Sequence, residues 1–132
     1  MRRTLPLAVP LALAVALGAP AALGQDADRG EQVFKRACAV CHMVGPGAKN
    51  RVGPPMNGIV DRKAGSIPGF AYSPANRNSG VTWDADSLKA YLRDPRAFMP
   101  GTRMVYAGLR NDADLADLVA YLARFGPDGA AR

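Results

Sequence analysis

Apolar residues recur at helical spacing in three segments of the chain, each preceded by polar residues suited to begin a helix. The first segment covers residues 28–38 and carries a capping-box pair at Asp28 and Glu31. The second covers about residues 84–93 and is stopped by Pro95, which cannot continue a helix. The pattern therefore predicts two short helices that each bury one face.

The third segment is the clearest, because its two ends are both marked by suitable residues. Asn111 can cap the helix, and Gly126 and Pro127 can end it. Its apolar face comprises Leu115, Leu118, Val119, Leu122 and Phe125. Alternating strand patterns and internal repeats are missing from the sequence, so the pattern predicts an all-α protein.

Residues 45–80 follow neither a helical nor a strand pattern. This stretch holds seven Gly and five Pro, yet it lacks the charge density of a disordered segment. A long irregular segment inside a small domain usually has a function. A large apolar cofactor could supply the core that this part of the polypeptide does not.

Residues 1–24 have the composition of a secretory leader: a basic start, an apolar stretch over 5–17, and small residues at the −3 and −1 positions. We expect cleavage before Gln25 and a mature domain of residues 25–132. A periplasmic location without stable membrane insertion follows from that expectation. The alternative is an uncleaved membrane anchor, which three prolines in the leader disfavour.

Length and charge exclude several classes of protein. The chain has 132 residues, and its 17 Lys and Arg against 11 Asp and Glu give a net charge of +6. One domain and a leader fit this length. One His rules out metal sites with two histidines, and two Cys rule out a disulfide-rich miniprotein. The charge is too scattered to indicate nucleic-acid binding, although it suits docking on an acidic partner.

The chemistry of the chain centres on the motif CAVCH, formed by Cys38, Cys41 and His42. Two thiols one helical turn apart can each add to a vinyl group of the same porphyrin, and the adjacent imidazole can bind the iron. A redox dithiol or a structural disulfide is the alternative, but a thioredoxin-like motif needs a βαβ setting that the pattern lacks. The motif predicts one covalently attached haem c.

A haem with one histidine ligand needs a second ligand or an open site, and the chain has no other His. A methionine thioether is the natural candidate. Met43 follows the first ligand directly and is badly placed to reach the opposite side of the ring. Met104 ends the segment PGTRM, whose Pro and Gly can hold a side chain inward. The residues favour Met104. Met56 and Met99 remain as alternatives, although a methionine among apolar residues more often fills a gap than binds a metal.

Several segments carry a resemblance to a known family. They are Phe34, CAVCH at 38–42, Gly53-Pro54, GFAYSPANRNSGVTW at 69–83, DPRAFMPGTRM at 94–104 and DLVAYL at 117–122. Together they closely resemble the class I, mitochondrial-like c-type cytochromes, whose bacterial members are called cytochrome c2. The resemblance covers nearly all of the expected mature chain. It implies an all-α fold of about five helices around one haem, with the first and last helices packed across each other.

The resemblance also implies roles for ten residues. Cys38 and Cys41 would attach the haem, His42 would be the proximal iron ligand, and Met104 would be the distal one. The residues of the haem pocket and its propionates are Arg62, Tyr72, Asn76, Trp83, Tyr91 and Thr102. Taken without the family, Trp83 and Tyr91 would be interpreted as core aromatics and Arg62 as a surface charge.

These roles predict a one-electron carrier and not an enzyme, since two iron ligands leave no site for a substrate. A neutral thioether and an apolar pocket both raise the reduction potential. A raised potential suits the transfer of electrons from a quinol-oxidising cytochrome bc complex to a terminal oxidase or a photosynthetic reaction centre. The alternatives are a haem peroxidase or gas sensor with a labile distal Met, and a dithiol oxidoreductase.

A basic rim around the haem edge would allow a monomer to dock transiently on such membrane redox complexes. The candidates are Lys35, Lys49, Arg51, Arg96, Arg103 and Arg110, together with Arg36 and Arg77. The alternative is a generally solvated basic surface, because the sequence alone does not place these residues on one face.

Overall fold

The computed structural model describes residues 25–132, so the predicted leader at 1–24 lies outside the described residues. In this range the helices are α1 (Ala27–Ala37), α2 (Pro74–Arg77), α3 (Ala85–Arg93), α4 (Pro95–Phe98) and α5 (Asp112–Ala123). Residues 25–132 contain no strand, only two isolated bridges. The predicted all-α fold of about five helices is confirmed. None of the helices in this range is long and apolar enough to cross a membrane.

The caps of two long helices agree with the sequence pattern. The Asn111 side chain accepts a hydrogen bond from the Asp114 amide at 2.9 Å and caps α5 as predicted. Asp84 caps α3, so that helix begins one residue later than predicted, and Ser87 completes a capping box with Asp84. Both caps satisfy backbone amides that lack a partner in the first helical turn.

The predicted capping box at the start of α1 is wrong. The cap is Asp26, whose extended backbone lets its carboxylate accept from the amides of Asp28 and Arg29. Glu31 instead forms an ion pair with Lys35 at 2.7 Å, one helical turn further on. Asp26 takes the Asp28 amide, which Glu31 would bond in the predicted capping box, and the helix begins two residues earlier than that box requires.

Helices α1 and α5 cross at their closest point where α1 carries a glycine. A Cβ on Gly30 would overlap the carbonyl oxygen of Asp117 and lie 2.8 Å from the Tyr121 Cβ. Beside this crossing the rings of Phe34 and Tyr121 lie 5.8 Å apart. The buried Asp117 carboxylate accepts from the Asp26 amide at 2.7 Å and pairs with Arg29 at 3.1 Å. The start of α1 is therefore held to the middle of α5.

Residues 38–73 lie between α1 and α2 without regular secondary structure, as the glycine and proline content predicts. The two four-residue helices, α2 and α4, were not expected from the residue pattern. Each begins with Pro at its first position after a capping side chain, Ser73 for α2 and Asp94 for α4. Together with α3 and α5 these irregular segments surround a cavity rather than a continuous side-chain core.

Candidate functional site

One cavity of about 340 Å³ opens between the end of α1, α3, α5 and the loop segments, and its lining is mostly apolar. All ten residues assigned to a haem site by the resemblance line it. They are Cys38, Cys41, His42, Arg62, Tyr72, Asn76, Trp83, Tyr91, Thr102 and Met104. The structure therefore brings together side chains that are up to 66 positions apart in the sequence.

The two cysteines lie in a tight turn that continues from α1. The amides of Cys41 and His42 donate to the Cys38 carbonyl at 3.0 and 2.9 Å, which keeps all three side chains on the cavity. Neither thiol is in a disulfide. Burial raises the pKa of the Cys38 thiol to about 11, so it is protonated at neutral pH. A redox dithiol needs a thiol of lowered pKa, so the burial of Cys38 disfavours that alternative.

The His42 ring is fixed by two neighbours. Its Nδ1 lies 2.7 Å from the carbonyl oxygen of Pro54. Because a carbonyl only accepts, Nδ1 must carry the proton, which leaves the lone pair of Nε2 free for a metal. Burial lowers the pKa of His42, so the ring is neutral at pH 7. Gly53 packs on the ring so closely that a Cβ there would lie 2.5 Å from Nδ1 and 2.7 Å from Nε2.

A chain of polar contacts holds Met104 at the cavity. The Tyr91 hydroxyl lies 3.1 Å from Thr102 Oγ1 and 3.9 Å from the Met104 sulfur. Thr102 Oγ1 also accepts from the Met104 amide at 3.3 Å. Burial raises the pKa of Tyr91, so its hydroxyl stays protonated and can donate to the sulfur. These contacts orient a thioether that is otherwise a flexible side chain.

The other methionines take different positions. Met99 is 4% exposed and lies in the apolar core, outside the cavity lining. Met43 likewise lies outside the lining, and its carbonyl accepts from the Met56 amide at 2.8 Å. Met56 does line the cavity. Met56 is therefore the alternative to Met104 that the geometry leaves open.

Polar groups on another part of the lining could meet acidic substituents of a cofactor. Arg62 is partly buried and donates to the carbonyls of Pro55 and Asn57 at 2.9 and 2.8 Å. Burial lowers the pKa of its guanidinium, whose ordinary value is so high that the group keeps its charge. The Asn76 Oδ1 is buried without a hydrogen-bond partner among the described residues. Such an acceptor needs a ligand or a water to bond with.

Trp83 and Tyr72 are two of the aromatic residues of the lining. The Trp83 ring lies 5.0 Å from Tyr91 and 6.0 Å from Phe98. The Tyr72 hydroxyl accepts from the Ile67 amide at 3.2 Å. An apolar cavity with two thiols, a neutral imidazole, the oriented Met104 thioether, the partly buried cation of Arg62 and one unpartnered acceptor fits a covalently bound haem.

Several residues that hold the loop around this site are not marked as functional by any pattern in the sequence. Asn57 is 8% exposed, and its side chain bonds both the amide and the carbonyl of Gly45, at 2.8 and 2.9 Å. Gly129, far along the chain, packs against the same two residues. An isolated Asn or Gly carries no signal of such a role, because the contacts span 12 and more positions.

The fold and this cavity define a helical protein built around a single covalently attached haem. Comparison with known proteins agrees: the sequence model of the cytochrome c family matches residues 27–125. The chain is 54% identical over 112 residues to cytochrome c2 of Blastochloris viridis, covering 85% of this chain and 87% of the relative. It is 56% identical over 105 residues to a cytochrome c2 of Rhodoplanes tepidamans, covering 80% and 97%.

A solved structure of cytochrome c2 from Rhodospirillum centenum superposes with a TM-score of 0.73 and 41% identity, covering 77% of this chain and 99% of that one. The chain belongs to the cytochrome c family. It carries one covalently attached haem c with iron and serves as an electron carrier rather than an enzyme. Its partners are therefore redox proteins.

Proposed function

We propose that this electron carrier uses His42 and Met104 as its two iron ligands and Cys38 and Cys41 as its thioether anchors. The observation that carries the proposal is that His42 and Met104 line the same cavity. The Nε2 atom of His42 is free to bind a metal, and the Met104 sulfur is oriented by Tyr91. The haem supplies a one-electron couple between Fe(II) and Fe(III). The protein holds the group, orients its ligands and excludes water from it.

The surrounding residues support a raised reduction potential. Met104 offers a neutral sulfur, which favours the less charged iron, and the apolar lining disfavours the extra charge of Fe(III). Tyr91 and Thr102 fix the sulfur position. Because the ligands are held in place beforehand, little needs to move when the electron arrives or leaves.

A spectrum of the wild-type protein tests this ligation. We expect the oxidised holoprotein to show the weak long-wavelength absorption band of a Met thioether bound to Fe(III), and the reduced holoprotein not to bind carbon monoxide. Met56→Leu should keep the band, since that variant removes the other thioether of the lining. Loss of the band in Met56→Leu, or its absence from the wild type, would overturn the ligation by Met104.

The alternative of a haem peroxidase or gas sensor requires a labile Met104. The contacts of Tyr91 and Thr102 with Met104 argue against lability. Ready carbon monoxide binding by the wild type would favour this alternative over the carrier with two fixed ligands.

We further propose a periplasmic monomer that passes electrons from a quinol-oxidising cytochrome bc complex to a terminal oxidase or photosynthetic reaction centre. The leader composition of residues 1–24 supports the location. The basic rim supports transient docking on these membrane complexes, because a positive surface steers association with an acidic partner.

The ion pairs separate the rim candidates into two groups. Lys35 pairs with Glu31 and Arg36 with Asp114, so their charges are partly neutralised. The candidates without a carboxylate within 4.0 Å in the described part of the chain are Lys49, Arg51, Arg77, Arg96, Arg103 and Arg110.

Within the second group, three arginines lie close to the cavity mouth. Arg103 lines the cavity itself and donates to the Ala71 carbonyl at 3.3 Å. Arg51 precedes the lining residue Val52, and Arg96 shares a second surface pocket with Val105, which also lines the main cavity. These three arginines are the strongest candidates for the docking rim.

Charge reversal at the rim should slow electron transfer without changing the haem. We expect Arg103→Glu or Arg96→Glu to lower the second-order rate with an acidic redox partner by about threefold to tenfold at low salt, with a weaker salt dependence. Stopped-flow kinetics at several ionic strengths measure this effect. Lys89→Glu is the matched control, because it makes the same charge change at an ion-paired residue of α3 outside the lining. Equal rates for Arg103→Glu and Lys89→Glu would disprove the rim.

A further inference from the structure

The chain beyond α5 folds into a closed turn, here called the C-terminal turn (residues 125–131). The Gly126 amide donates to the Ala130 carbonyl, and the Gly129 amide donates back to the Gly126 carbonyl, both at 2.9 Å. The Phe125 carbonyl accepts from the Gly58 amide at 3.1 Å. The turn is therefore an ordered element tied to the loop that follows His42, rather than a loose end.

Glycines make the contact between the turn and that loop unusually close. Gly129 is buried with a φ of +81°, and a Cβ there would overlap the Gly45 carbonyl and lie 2.6 Å from the Asn57 Nδ2. From the other side, a Cβ on Gly58 would lie 2.9 Å from the Pro127 Cα. The nearest atom is a backbone atom at both points, so a change of side-chain rotamer cannot relieve either contact.

The loop residues that the turn contacts lead directly to the cavity. Asn57 bonds both backbone groups of Gly45 and, through its own carbonyl, accepts from Arg62 at 2.8 Å. Three residues before Asn57, the Pro54 carbonyl accepts the Nδ1 proton of His42 at 2.7 Å. The segment 54–57 is therefore held from the cavity by His42 and Arg62 and from outside by the turn.

We propose that the C-terminal turn is a positioning element for His42. It fixes Asn57, and so holds the Pro54 carbonyl in place to accept the Nδ1 proton. A hydrogen bond at Nδ1 sets the orientation of an imidazole ligand and increases its donor strength. The turn thereby influences the reduction potential although it lies outside the cavity lining. This inference rests on the proposed role of His42 as an iron ligand.

Gly129→Ala tests the proposal in the full holoprotein. The added methyl group pushes the turn away from Gly45 and Asn57, and we expect the exchange rate of the His42 Nδ1 proton in the reduced protein to rise by about tenfold or more. NMR measures this rate. We also expect the reduction potential to rise, because a weaker bond at Nδ1 makes the imidazole a poorer donor to Fe(III).

Gly80→Ala is the matched control. Gly80 has a φ of +71°, so alanine there carries a similar backbone strain, but no atom lies within 4 Å of its added Cβ. The control should leave both the His42 exchange rate and the potential at their wild-type values. Where Gly129→Ala does not fold, a chain ending at Gly126 removes the contact without inserting a methyl group, and the same two measurements apply.

The outcomes separate positioning from general stability. A purely structural turn would accelerate exchange of His42 Nδ1 and of the core amide of Leu118 by the same factor, and that result would overturn the proposal. Equal His42 exchange in Gly129→Ala and Gly80→Ala would overturn it as well. Failure of the proposed His42 ligation has a different sign: in the wild type itself, the NMR signals of the His42 ring protons would then lack the large shifts of an imidazole bound to haem iron.

Discussion

Replacing Met104 by alanine is expected to lower the reduction potential by on the order of 0.1–0.3 V, a fraction of the roughly 0.8 V range that axial ligands span. The proposed thioether ligand is neutral and would favour Fe(II), whereas a water or hydroxide ligand in its place would favour Fe(III). The same variant should lose the long-wavelength band of the oxidised protein and bind carbon monoxide when reduced. Redox titration and absorption spectroscopy measure these changes.

The controls for this prediction come from the other methionines. Met99→Leu changes a core thioether outside the cavity lining, and Met56→Leu changes one within the lining. Both should keep the band and a potential close to that of the wild type. A band that survives in Met104→Ala but disappears in Met56→Leu would assign the distal position to Met56 instead.

Gly30→Ala is expected to destabilise the fold by about 2–4 kcal/mol, even though alanine favours a helix over glycine by about 1 kcal/mol. The added Cβ would overlap the Asp117 carbonyl and press on Tyr121, so α1 and α5 must separate. The separation weakens packing around Val33 and Leu118, which are each 1% exposed. In a domain of this size the melting temperature should fall by about 10 °C or more.

Thermal unfolding followed by circular dichroism measures this effect on the holoprotein. Gln32→Ala is the matched control, because Gln32 is an exposed residue in the same helix. Its substitution should change the free energy of unfolding by less than about 0.5 kcal/mol. A Gly30→Ala protein as stable as Gln32→Ala would show that the crossing of the two helices adapts without cost.

Local sequence determines the long helices well and the short ones poorly. In α5, the cap at Asn111 and the apolar face lie within a few positions of each other, so the pattern alone predicts the helix. The end differs: α5 stops at Ala123, because the amides of Arg124 and Phe125 bond the carbonyls three residues back, those of Tyr121 and Leu122, at 3.1 and 3.3 Å. Helices of four residues such as α2 contain too little of a helical period to be predicted.

The candidate site likewise has one part that the local sequence predicts and another that only tertiary contacts decide. The adjacency of Cys38, Cys41 and His42 in the sequence predicts covalent haem attachment, because that chemistry needs thiols and imidazole within one helical turn. The choice among the methionines depends on which thioether reaches the cavity. Tertiary contacts place Met99 in the core and bring Met104 to Tyr91, which is 13 positions away.

The sequence by itself therefore determined the helical class, the covalent cofactor and the small set of possible ligands. These depend on residues that are close together along the chain. Only the tertiary structure decided that Arg36 pairs with Asp114 across 78 positions, that Pro54 accepts from His42, and that Gly129 packs on Asn57. Such contacts form when separate segments fold against each other, and the types of the residues alone do not specify which segments meet.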